Sequence, residues 1–108
     1  MLCLLLLGAC GSAGPAAVTS SAVRTTCQAV SAVLSDGPDP GADPVGYAEA
    51  QVLPLRQIHA PDRNLRSAID ALASAYQRVF ETNGSKAADE SVARATERVD
   101  GICPGAAA

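Results

Sequence analysis

Four cysteines, one histidine and two tyrosines are the side chains of this 108-residue chain best suited to making or breaking bonds. Cys3, Cys10, Cys27 and Cys103 look at first like two disulfides. Redox work by Cys27 or Cys103 finds no support, because there is no Cys-x-x-Cys and neither thiol has a histidine near it in sequence. His59 as a general base needs an acid or a nucleophile beside it. Asp62 follows three residues later, but no exposed-serine motif accompanies it. The plainer reading is an exposed histidine near a helix C-terminus, where the dipole favours a cation. Di-iron bundles need Glu-x-x-His pairs and c-type haem needs Cys-x-x-Cys-His; the chain has neither. Tyr47 and His59 would lie about 18 Å apart on one straight helix, too far to bind one iron. Asp36, Asp39 and Asp43 fall in the stretch DGPDPGADP, whose spacing is not that of an EF-hand and whose prolines restrict wrapping around a cation. The glycines belong to the tether and the helix ends, not to a phosphate-cradling loop. These patterns lead us to expect no metal, no cofactor and no enzymatic activity.

One cysteine has a more specific context. Leu2 to Leu7 is an apolar run interrupted only by Cys3, followed by Gly8, Ala9 and Cys10. It is far shorter than the ~20 residues a membrane-spanning helix requires. A buried helix there would be broken within two turns by Gly8, Gly11, Gly14 and Pro15. Leu7-Gly8-Ala9-Cys10 resembles the lipobox of bacterial lipoproteins: an aliphatic residue, two small residues and an obligatory cysteine. The resemblance covers the first ten or so residues. It implies that the Cys10 thiol receives a diacylglyceryl group and that the leader is cut just before it. No Lys or Arg precedes the run, the first basic residue being Arg24. A secretory leader normally opens with a basic region, so a few basic codons are expected upstream of Met1.

The resemblance also changes the cysteine arithmetic. Cys3 leaves with the leader and Cys10 is taken by lipid, so Cys27 and Cys103 remain. Export places them in an oxidising compartment, and a Cys27–Cys103 disulfide is expected. On the chain-entropy model, closing a loop of that length stabilises the fold by about 4 kcal/mol.

The elements that must position these residues read as helices. Aromatic residues are restricted to Tyr47, Tyr76 and Phe80, so the core must be built from Val, Leu, Ile and Ala, which suits closely packed helices. Gly11 to about Val18 is a small-residue tether spanning at most about 30 Å. A first helix starts at Thr19 or Ser20, with Val23, Cys27, Val30 and Leu34 on one face, and stops at Asp36-Gly37-Pro38. Asp43 and Pro44 are the N-cap and first position of a second helix running to about His59. Its expected inner face is Val45, Ala48, Val52 and Leu55, flanked by Ile58. Pro54 lies inside it and predicts a kink. Pro61-Asp62 opens a third helix, with Leu65, Ile69, Leu72, Tyr76, Val79 and Phe80 inward and Asn83-Gly84 as its stop. Ser85 caps a fourth, with Val92, Ala95, Val99 and Ile102 inward and Pro104-Gly105 as its end.

Short connections between such helices imply antiparallel neighbours. The expected fold is an all-α, antiparallel up-down-up-down four-helix bundle with its first and fourth helices joined by the disulfide. The expected organisation is a leader over 1–9, a lipidated tether over 10–18, the bundle over 19–103 and a tail over 104–108.

Net charge is −3 with no run of basic residues, so no nucleic-acid partner is expected. Arg outnumbers Lys seven to one and Ala dominates, a composition associated with GC-rich genomes. In this and in its lipobox the chain resembles the small lipoproteins of high-GC Gram-positive bacteria, a class that implies no particular activity. The functional expectation is an exported protein on the outer face of the cell membrane. It is held there by covalent lipid and contacts an envelope or secreted protein without catalysis. The alternative is a carrier of a small apolar ligand, held near the Pro54 kink and Tyr76.

Overall fold

The computed structural model describes residues 20–107. The leader, Cys3, the lipobox with Cys10 and the tether lie outside the described residues. Within them the chain is all-helical: α1 (Ser21–Leu34), α2 (Pro44–Arg56), α3 (Arg63–Glu81) and α4 (Lys86–Ile102), with no strand.

Every helix begins on a side-chain cap, because the first backbone N–H groups of a helix have no partner within it. Ser20 Oγ accepts from Val23 N at 3.1 Å and Asp43 Oδ1 from Gly46 N at 3.0 Å. Asp62 Oδ1 accepts from Leu65 N at 2.8 Å and Ser85 Oγ from Ala88 N at 3.1 Å. Asp43 and Ser85 are the caps expected from the sequence, Ser20 is one of the two residues expected to start α1, and Asp62 belongs to the pair expected to open α3. The stop of α3 is as expected too: Asn83 and Gly84 take φ of 54° and 84°, and Gly84 N returns to Val79 O at 2.8 Å.

The second helix ends earlier than expected, at Arg56 rather than His59. Pro54 offers no N–H to the carbonyl of Ala50 and crowds it. The chain leaves through tight bonds from Gln57 N to Pro54 O and from Ile58 N to Leu55 O, both 3.2 Å. His59 is therefore exposed and beyond the helix.

α3 lies at the centre and packs closely against both α2 and α4, whereas α1 rests more lightly on α2. Leu65, Ala68, Ile69, Leu72, Ala73, Ala75 and Val79 of α3 are all buried. Its alanines let two neighbours approach on two sides. Val30, Leu55 and Val99 bring α1, α2 and α4 into the same core, and Cys103 completes it. Phe80 does not join them: it is 46% exposed. Val79 occupies the inward position, and the residue after it is turned about 100° away on the helix.

Cys27 on α1 is bonded to Cys103, just beyond α4, with Cα atoms 5.4 Å apart across 76 residues of sequence. The expected disulfide is present. The residues after it are less of a free tail than expected, since Ala106 and Ala107 are half-buried against the core.

Candidate functional site

α1 offers few buried groups, so polar bonds help fasten it to α2. Asp43 and Pro44 set the start of α2 and so place Tyr47 in its first full turn. The Tyr47 hydroxyl donates to the carbonyl of Leu34, the last residue of α1, at 2.6 Å. One turn further along, Gln51 Nε2 donates to Asp36 O at 2.8 Å. Gly37, at φ 102°, folds over that amide, where a Cβ would lie 3.1 Å from Gln51 Nε2. Gln51 is buried, and its Oε1 has no hydrogen-bond partner among the described residues.

Hydropathy in the sequence points to Val52 for this part of the α2 face. The structure buries Ala48, Gln51 and Leu55 and leaves Val52 half-buried. Hydropathy favoured Val52, but helical register alone could have found Gln51, three residues after Ala48 and four before Leu55.

Tyr47 meets Tyr76 of α3 edge to face, with ring centroids 5.8 Å apart and planes at 78°. The two rings form one wall of an open cleft of about 210 Å³. Pro40 and Pro44 bound it on the loop side, Ala48, Val79 and Val92 supply apolar floor, and Asp89 is the one charged residue at its edge. Burial pushes the Tyr76 phenol well above its ordinary range, and the neighbouring Tyr47 phenol pushes it further. Burial also raises Tyr47, and the neighbouring Tyr76 phenol offsets part of that rise. Both phenols stay protonated through neutral pH. A general base needs the opposite shift; neutral phenols among apolar walls suit hydrogen bonding and aromatic contact.

Of the two residues expected to mark a ligand site, the cleft contains Tyr76 and not Pro54. It opens at the N-terminal end of α2, about 10 Å along the helix from the proline. Pro54 sits half-buried in the last turn, next to Leu53, which is 63% exposed. A missing bond so near a helix end is absorbed by the end itself. Among the described residues no three His, Cys, Asp or Glu side chains are grouped to hold a metal ion. Nor is any helix there long and apolar enough to cross a membrane. No family model matches this chain, and comparison with curated proteins and with solved structures returned no match.

Proposed function

We propose that the chain is an exported, lipid-anchored helical module that works by binding a protein of the envelope or a secreted protein, without catalysis. The observation that carries the export is the Cys27–Cys103 disulfide. Such a bond persists in oxidising compartments, and it leaves Cys10 as the thiol of Leu7-Gly8-Ala9-Cys10 available to lipid. The two or three acyl chains of a bacterial lipoprotein hold a protein firmly where one would not.

We take the topology as up-down-up-down. A Cβ at Gly84 would touch Val45 at 3.6 Å, so the end of α3 lies beside the start of α2. Arg98, late in α4, reaches Ser67, early in α3. The disulfide ties the region after α4 to the second turn of α1.

The binding role is supported by the tyrosine cleft. Its volume of about 210 Å³ is below the roughly 300 Å³ at which small-molecule pockets begin, and it fits one large apolar side chain of a partner. The carrier reading keeps one specific support, the presence of Tyr76 in that wall, and is confined to ligands of a few heavy atoms.

Replacing Cys10→Ala is expected to abolish palmitate labelling and to move the chain from the membrane fraction to the soluble one. A variant that stays on membranes as firmly as the parent overturns the anchor. Titration with a small aromatic hydrocarbon, followed by NMR, separates the two binding readings. Saturable shifts confined to Tyr47, Tyr76, Val79 and Val92 favour the carrier, and their absence ends it. Capture of the anchored protein with a bound envelope protein, lost on Tyr76→Ala, is the result expected of the module.

A further inference from the structure

The groove between α3 and α4 on the side away from the tyrosines has a different character. Ala71 and Ala95 form its floor, and their small side chains leave a space of about 230 Å³. Its rim carries Arg78 from α3 and Arg94 and Arg98 from α4, all three exposed, together with Ser91. Arg94 and Arg98 lie one turn apart on α4, and the packing of α4 on α3 brings Arg78 beside them.

Neither α4 arginine turns to a carboxylate. Arg98 Nη2 donates to Ser67 Oγ at 2.9 Å, and Arg94 Nη2 approaches Ser91 Oγ at 3.4 Å. Partners of the opposite sign are plentiful in a chain of net charge −3. Glu90 stands four residues before Arg94, the favourable order for a helical ion pair, yet none of the three guanidiniums is held in an ion pair among the described residues. Asp100 instead accepts from Gly105 N at 2.8 Å, and Glu81 accepts from Gln77 Nε2 at 3.0 Å. Three permanently charged forks therefore share one groove without a counter-charge from the fold.

We propose that this groove binds a phosphate group. Guanidinium forks match the oxygen spacing of phosphate and carry their charge at every physiological pH. A tetrahedral phosphate offers enough oxygens to engage all three arginines and the Ser91 hydroxyl, whereas a planar carboxylate has two. The phosphate's source is either a soluble phosphate ester or the headgroup of an anionic phospholipid. The site does not depend on the lipid anchor. A space of this size holds one phosphate and does not track a nucleic-acid strand.

The test uses the full chain carrying Cys10→Ala, so that no acyl chain contributes. One arm titrates it with glycerol phosphate by calorimetry and NMR. The other measures sedimentation with phosphatidylglycerol vesicles against phosphatidylcholine vesicles. Saturable binding in the first arm identifies a soluble ester, and binding only to phosphatidylglycerol identifies the headgroup. In either arm Arg94→Gln and Arg78→Gln are each expected to weaken binding by about tenfold. Arg24→Gln, on α1 and outside the groove, should leave it unchanged. Both groove positions are exposed, and Arg78→Gln disturbs no bond to Ser67 or Ser91, so a folded variant is available for comparison. Absence of saturable binding in both arms overturns the proposal. So does an equal loss on Arg24→Gln, which would mark unspecific attraction.

Discussion

Tyr76 carries a hydroxyl into a region otherwise built from Leu, Ala and Val, and the cost of ionising it there is the clearest electrostatic consequence of the fold. Burial raises its phenol first, and Tyr47 raises it further. A group whose folded pKa lies above its unfolded value stabilises the fold below the unfolded pKa. That contribution is lost as pH rises toward the folded pKa. The unfolded phenol titrates at about 10, so stability is expected to be flat up to that pH and to decline above it. Urea unfolding at about pH 9 and at about pH 11 should show a falling midpoint in the parent. Tyr76→Phe should remove most of that fall, because Phe has no proton to lose. An unchanged alkaline slope in the variant would show that Tyr76 is not the group responsible. Gln51 presents the complementary case, a buried amide with one end bonded to Asp36 O and the other unpartnered. It helps hold the α1–α2 loop against the face that carries Tyr47.

At the scale of the helix, the caps do more than close ends, since each fixes where an apolar face begins. Asp62 matters most, because α3 is the helix against which α2 and α4 are both packed. Its carboxylate accepts from Leu65 N at 2.8 Å and stands at the positive end of the helix. Asp62→Ala is expected to lower stability by about 1 kcal/mol, and Tm by roughly 4–8 °C for a domain of this size. Asp62→Asn, which keeps an accepting oxygen, should retain most of both. Thermal unfolding followed by circular dichroism checks the pair, and equal losses in the two variants would deny the cap its role. α2 shows the opposite influence, a residue that ends a helix. Pro54 predicts a kink, and in the structure the helix stops two residues later.

For the molecule as a whole, the disulfide decides how firmly α1 belongs to it. α1 buries only Thr26 and Val30, and the polar links to α2 are the Tyr47 bond to Leu34 at its end and the Gln51 bond to Asp36 in the loop that follows. A cross-link closing 76 residues of sequence removes unfolded-state entropy worth about 4 kcal/mol, a large part of the stability of a small domain. Cys27→Ala with Cys103→Ala should lose about that amount in urea unfolding. α1 should loosen first, seen as faster amide exchange in Ser21–Leu34 than in α3. Uniform exchange in all four helices would show that α1 is held without the bond.

Much of this was legible in the residue order because its causes are local. Capping side chains act over three residues and apolar faces repeat every three or four. Asp43, Ser85 and the Asn83-Gly84 stop could therefore be read directly, and the starts of α1 and α3 to within a residue. The disulfide followed by subtraction, once Cys3 and Cys10 were assigned to a leader and its lipid. Phe80, Gln51 and the two grooves were decided elsewhere. Which of two adjacent residues turns inward depends on the helix that lies opposite and on its register. Gln51 is buried because the loop after α1 places a carbonyl over it, a fact hydropathy does not carry. Tyr47 and Tyr76, and likewise Arg78 with Arg94 and Arg98, share sites because consecutive helices fold back and pack side by side. The sequence by itself determined where the helices start and where α3 stops, and it pointed to Cys27 and Cys103 as the pair. Only the tertiary structure decided which side chains share a cleft, because that requires two helix surfaces to be brought into one register.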